Sequence, residues 1–414
     1  MSDFVLHEGL AQYTIALGFI ERYPLTCFMD ERHLDYSTAC VREGVNINVC
    51  LVGFGKVNQQ IFLTSVATNQ FICQGGDGVQ HKAVNYHVFD KNIAEQRARL
   101  NSTYYRYCNM RSGANEQDYL PFPELPAIEQ YYDVDANTDE LYNALCTVVR
   151  GGEMDVNVAI ISLGCDELNL EVARKLIAKR QEWGAENLAI FVHVGSCRKH
   201  GHKLNAERCT MFDDNPNEQN INKLCEMAKQ RNMLYHAVKQ QSKRDWLSMD
   251  TSKQLSSICA CLSLRSKLNL MGLDYCDVTD RSPLSEQQYL DLYQASGGVA
   301  GLPQSLRDNF AILEHYRWNA FMITRGFVPS TVLQITDEIK LAGGKQVPTN
   351  GVSYAELRHG NLTTFQGLVQ YRKLIAKRDG VSELDADVIK YDYQLLDGAY
   401  QLLTHCGYKV VHRN

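Results

Sequence analysis

The sequence predicts an α/β chain: a doubly wound parallel sheet followed by a mainly helical C-terminal part. Three observations carry that prediction. In the first half, short β-branched runs alternate with helical stretches of ten or so residues, the pattern of parallel strands joined by right-handed crossovers. A glycine-rich bend, Gly53-Phe54-Gly55, sits directly between the first such run and the first helix that follows it. Beyond residue 220 the short apolar runs give way to long amphipathic stretches.

Residues 1–45 form an N-terminal extension with helical character over Glu8–Arg22 and no assigned role. Ile47–Val52 is short, β-branched and bounded by Gly44 and Gly53, which makes it a buried strand. A helix is expected over 57–68. The turn-rich stretch Gln74-Gly75-Gly76-Asp77-Gly78 then precedes a second strand, Ala83–Phe89, which ends at Asp90 and leads into a polar helix over Asn92–Leu100. Segment 101–130 carries tyrosines, asparagines, Gly113, Pro121, Pro123 and Pro126, and is expected to be an insertion outside the core. A helix over Asp139–Val149, a strand over Val156–Leu163, a long helix over Glu167–Trp183 and a strand over Asn187–Val194 continue the alternation. Helices follow at Ile221–Arg231, Ser252–Leu270 and Asp308–Arg325, with Gly297-Gly298 and Gly301-Leu302-Pro303 between the last two. The division expected is an extension (1–45), a Rossmann-like domain (46–245), a helical connector (246–304) and a C-terminal domain (305–414).

Composition narrows the function classes. With 414 residues, 45% hydrophobic and 22% charged, the chain can bury more than one ordinary core. A net charge of −6 argues against a general nucleic-acid binder. The longest apolar runs, near Ile160–Leu163 and Leu188–Val194, fall far short of the roughly 18 residues that span a bilayer. The opening MSDFVLHEGLAQY lacks the basic start and apolar stretch of an export signal. The 14 cysteines are scattered, and Cys50, Cys165, Cys259 and Cys261 read as small buried hydrophobes. Reduced thiols and a cytoplasmic location are the expectation.

The bend carries the sharpest chemistry. In Val52-Gly53-Phe54-Gly55-Lys56-Val57-Asn58 the first glycine allows a tight turn and the second lets a pyrophosphate approach the backbone. The helix that follows offers unpaired amides and the positive end of its dipole. The third position of the G-x-G-x-x-G fingerprint is Asn58, a departure from glycine. Asp90, at the end of the second strand, can accept hydrogen bonds from both ribose hydroxyls of an adenosine. Its interval from Gly53 is longer than usual, and the glycine-rich stretch over 73–78 accounts for the extra residues as a loop. An acid there disfavours a 2′-phosphate, so NAD or another adenine nucleotide is expected rather than NADP.

The run Asn48–Ile61, with VGFGKVNQQI, resembles the NAD-binding domain of potassium-transport regulators of the TrkA N-terminal or RCK type. Val158–Asn169 is similar to that family's apolar strand, small-residue turn and D-E-x-N helix start, and Tyr132–Asn137 is similar, less closely, to its G-D-A-T loop. The resemblance covers about residues 45–200. It implies that Gly53, Gly55, Lys56 and Asn58 face phosphates, that Asp90 faces the ribose, and that Ser162, Leu163 and Gly164 face the nucleotide across the switch point. With their neighbours Phe54, Val57 and Lys91 these residues form the candidate cofactor-binding set. It also implies that a homodimer can form.

The C-terminal part offers a second set. Glu314, His315, Arg317 and Trp318 lie in Leu313–Phe321, where Glu314, Arg317 and Trp318 share a helix face. Taken alone, a tryptophan there is core and the Glu–Arg pair is an ion pair. The order E-H-x-R-W-x-A-F, Arg325-Gly326-Phe327, His359-Gly360-Asn361-Leu362, Asp385-x-Asp387 and Gly407-Tyr408 resembles the bacterial ryanodine-receptor-like (RyR) domain. Phe327 replaces that domain's usual tryptophan, and the connector 331–357, containing Gly343-Gly344, is longer. The resemblance implies that His359 belongs with the four helix residues.

Other candidates are set aside. Cys197, His200, His202 and Cys209 have metal-ligand chemistry but not zinc-site spacing. Asp213-Asp214 reads as a solvated turn, and Cys259 and Cys261 fall on different helix faces. No P-loop, G-x-S-x-G or H-E-x-x-H motif occurs. The expected function is a nucleotide-binding regulator rather than an enzyme. The alternatives are an NAD-dependent oxidoreductase and an S-adenosylmethionine methyltransferase.

Overall fold

A computed structural model describes residues 10–76, 78–150, 152, 154–195, 207–215, 217–238, 246–277, 281–294 and 306–413. Six strands form one all-parallel sheet: β1 (Ile47–Val52), β2 (Asn85–Asp90), β3 (Ile128–Asp133), β4 (Val156–Ile161), β5 (Ala189–His193) and β6 (Cys209–Phe212). Their spatial order is β6-β5-β4-β1-β2-β3. This is the Rossmann-like arrangement, and the strand order reverses between β1 and β4. In open α/β sheets ligands settle in the crevice beyond the strand ends at that reversal.

The central strands are apolar on both faces because both faces are covered. Ile47, Val49 and Leu51 of β1 and Val156, Val158 and Ile160 of β4 enter one core. Cys50, Val52, Ala159 and Ile161, one residue out of phase, enter the other. Helices α1 (Leu10–Arg22) and α2 (Lys56–Thr68) contribute to the first core. The second holds α3 (Asp139–Val149) and α4 (Asp166–Trp183), which has Asp166 and Glu167 at its positive end and a left-handed Gly184 closing it.

Three elements depart from the expectation. β3 lies within the segment read partly as insertion and loop; as an edge strand of sequence IEQYYD it is only half-buried and lacks an apolar run. β6, four residues long, closes the opposite edge. The helix Tyr104–Gly113 was expected outside the core, yet Tyr104, Tyr105 and Tyr107 are buried in it. Tyrosine reconciles the two, since its ring packs while its hydroxyl finds a polar partner, as the buried Tyr107 hydroxyl does in the Pro123 carbonyl. The glycine-rich stretch near 75 is the tip of a hairpin, Phe71–Gly75 with Gly78–Lys82.

The C-terminal part is stitched to the rest. Helix α5 (Glu218–Val238) and α6 (Thr251–Leu262) lead to α7 (Leu306–Thr324), which packs directly on α2. Arg106 donates to the carbonyls of Gly326 and Glu356, Thr363 to that of Pro121, and Arg413 to those of Thr26 and Met29. Among the described residues one apolar cluster runs from Tyr13 to Val410. Gly343 and Gly344, both at positive φ, turn a hairpin between Ile339–Ala342 and Lys345–Pro348. No helix among the described residues is long and apolar enough to cross a membrane.

Register across the central strands is marked by an amide ladder. Asn85 donates to Asn48 at 3.1 Å, Asn48 to Asn157 at 2.9 Å, and Asn157 to the Val149 carbonyl at 3.4 Å. Asn48→Ala removes the middle rung and strands two amides. We expect it to cost about 1–3 kcal/mol, read as a lower urea midpoint at unchanged m-value; a loss within roughly 0.5 kcal/mol, the range of an ordinary surface change, would show the ladder to be incidental.

Candidate functional site

Gly53 leaves β1 at φ +80°, and a Cβ there would lie 2.4 Å from the Ser162 carbonyl oxygen. Its amide donates to the Phe89 carbonyl at 2.8 Å. The bend is thus pressed between β2 and β4, and only glycine fits. Over Gly55, the N-cap of α2, a Cβ would meet nothing within 4 Å. No side chain caps α2, and its first amides have no partner within the helix by geometry. Lys56 beside them is exposed and Val57 half-buried.

Asp90 faces this bend. One carboxylate oxygen accepts from the Phe54 amide at 2.7 Å and the other from the Asn92 amide at 2.8 Å. Each oxygen keeps a further acceptor position. Lys91 next to it is exposed. Across the crevice Ser162 is buried, Leu163 half-buried, and Gly164 exposed at φ +80°. The buried Asn169 of the D-E-x-N start accepts from the Leu163 amide at 2.7 Å and donates to the His193 carbonyl at 2.8 Å, tying the ends of β4 and β5. Asp166 accepts from the Gly195 amide at 2.9 Å.

Two members of the expected set turn inward. Asn58 is fully buried, and its amide donates to the carbonyls of Val52, Gly53 and Ile160 at 3.3, 2.7 and 3.2 Å. Its side chain therefore faces the strand junction, not a phosphate. The third fingerprint position lies where helix and strand close on each other, and here a carboxamide replaces close glycine packing with hydrogen bonds. Phe54 is likewise buried, against Phe62 and Tyr131. Cys165, expected to be buried, is exposed at the N-cap of α4.

A relay at the strand ends was not singled out from the sequence. Ser162 Oγ lies 3.4 Å from His193 Nδ1, and His193 Nε2 lies 2.8 Å from Asp214. Local sequence marks Asp214 only as a solvated turn, and its spatial meeting with the end of β5 distinguishes it. Cys197, His200 and His202 lie outside the described residues. No group of three or more metal-ligating side chains occurs among the described residues.

The C-terminal candidates gather at a cavity of about 860 Å³, within the usual range for small-molecule sites of roughly 300–1,000 Å³. Glu314, His315, Trp318 and His359 line it, together with Arg231 of α5, Asp250, Ser252, Ser256 and Ser257 around the start of α6, and Asp392. Arg317 does not line it but holds Glu314 through two bonds of 2.9 Å. Lys267 also donates to Glu314, and Arg231 stands 3.8 Å away. Burial alone would raise the Glu314 carboxyl, but Arg317 and Lys267 outweigh it and hold the carboxyl well below the usual carboxylate range. Burial pushes Lys267 down to about 8. His315 Nε2 lies 2.8 Å from the Thr363 carbonyl, so that nitrogen carries a proton, and Nδ1 lies 3.3 Å from Asp392, whose carboxyl burial raises. Trp318 lies over His315 at 6.0 Å and meets His359 edge-on at 4.9 Å. The Glu–Arg pair predicted from helix spacing exists and lies in the interior.

Two outcomes test these sites. Gly164→Ala and Gly53→Ala both place a side chain at positive φ, costing about 1–2 kcal/mol, yet only the second meets the backbone of Ser162. Gly53→Ala is therefore expected to unfold at clearly lower denaturant; equal midpoints would mean the bend is loose. Glu314→Gln leaves buried cations uncompensated and should cost about 3–5 kcal/mol, part of it recovered on adding Lys267→Met; no recovery in the double variant would show that the two do not act as a pair. No protein-family model, curated protein or solved structure matches the chain.

Proposed function

We propose that the chain is a nucleotide-binding regulatory protein of the TrkA N-terminal kind, taking NAD or a related adenine nucleotide at the bend between β1 and β4. The observation that carries this reading is the Asp90 carboxylate bonded to the Phe54 amide of the glycine turn, which joins the ribose-gripping acid and the diphosphate-approaching backbone in one place. The diphosphate sits over Gly55 and the first amides of α2, with Lys56 and Lys91 beside it. Occupancy is read by the RyR-like helical part, because α2 starts at the bend and packs along α7. The homodimer implied by the TrkA resemblance belongs to the same reading and is checked by sedimentation with and without NAD.

A second reading, an NAD-dependent oxidoreductase, draws support from the Ser162–His193–Asp214 relay beside the strand reversal, a hydroxyl–imidazole–carboxylate chain able to pass a proton. Loss of NADH absorbance with carbonyl substrates, abolished by His193→Gln, would favour it.

The regulator reading predicts thermal stabilisation by NAD and ADP-ribose, about 2.7 kcal/mol at a hundred times the dissociation constant, without turnover. Asp90→Ala should weaken both by roughly ten- to a hundredfold, as loss of a charge-assisted bond does, and NADP should bind more weakly than NAD. Undiminished NAD affinity in Asp90→Ala, or stabilisation by S-adenosylmethionine alone, would sink it.

A further inference from the structure

We infer that the C-terminal cavity is a second ligand site, separate from the crevice, and that it takes a nucleoside phosphate: an anion joined to a planar ring. The anion is argued from a surplus of buried positive charge. Three cations, Arg231, Lys267 and Arg317, converge on the single carboxylate of Glu314. Arg231 is the outlying one; it lines the cavity, and its buried Nε has no hydrogen-bond partner among the described residues. Nη1 of Arg317, a residue 1% exposed, is also without a partner there. Burial chiefly depresses the Lys267 ammonium, with a smaller push from Arg317, while Glu314 opposes both.

The other carboxylates at the cavity do not cancel that surplus. Asp250 is turned to the start of α6, accepting from the Ser252 amide at 2.8 Å, and burial raises the Asp392 carboxyl, which lies 3.3 Å from His315, toward its neutral form. A buried guanidinium edge without an acceptor is costly, and a phosphate oxygen is the acceptor it matches best. Ser256 and Ser257, on the same wall, add hydroxyl donors. The ring is argued from Trp318, which lines the cavity and is held in place by His315 and His359. Indole against a nucleobase is a sequence-tolerant stacking surface. The cavity holds more than a phosphate alone would fill.

The test is calorimetric titration of the full chain with the four ribonucleoside monophosphates, with adenosine and with inorganic phosphate. At least one monophosphate is expected to bind tenfold or more tightly than either fragment. That binding should fall at least tenfold in Arg231→Gln and in Ser256→Phe, which fills the cavity without touching the charge cluster, and persist in Asp90→Ala. Should Arg231→Gln fail to fold, Ser256→Phe carries the comparison. No monophosphate binding at millimolar concentration, no advantage over the fragments, or loss through Asp90→Ala alone with both cavity variants unaffected would overturn the inference. Binding insensitive to Asp90→Ala but lost in the cavity variants would uphold it even if NAD never binds the crevice.

Discussion

The close approach of Gly53 to the Ser162 carbonyl is the constraint on which the rest hangs. A side chain at that point would push the ends of β1 and β4 apart, at the place where strand order reverses. With the bend closed, α2 is laid across one face of the sheet, and α1 and α7 pack against it. Asp90 completes the closure from the other side by bonding the Phe54 amide. Asn58 completes it from beneath, its amide shared among three carbonyls. Backbone, acid and amide together fix where α2 begins, and hence where its unpaired amides point.

The charge cluster on α7 obeys a different logic. Buried ion pairs seldom add net stability, because desolvation consumes most of the Coulomb gain. Glu314 with Lys267, Arg317 and Arg231 is therefore poorly explained as a stabilising device. A cavity beside it, with an aromatic wall and serine hydroxyls, gives the surplus charge a use.

The two sites share a mechanical route. α7 carries Glu314, His315 and Trp318 at the cavity and packs on α2, whose first residues form the bend. Arg106 and Thr363 tie the same C-terminal part to the tyrosine helix and to Pro121. The bend and the cavity thus border one packed pair of helices, α2 and α7.

The sequence by itself determined the central strands β1, β2, β4 and β5, the helices after them, and the positions of Gly53 and Asp90. Those features rest on short-range patterns: apolar runs buried on both faces, helical periodicity, and a glycine where no other residue fits. Helix spacing also placed Glu314, Arg317 and Trp318 on one face. Tertiary structure alone decided the rest. β3 is an edge strand with a half-polar sequence and β6 an edge strand of only four residues, too short a run to detect, and the tyrosine helix resembles an insertion because its rings are apolar while its hydroxyls are not. The inward turn of Asn58, the meeting of Ser162, His193 and Asp214, and the convergence of Arg231 and Lys267 on Glu314 join residues distant in the chain. Local sequence fixes which groups are present; only long-range packing sets which of them share a low-dielectric space, and there their chemistry is made.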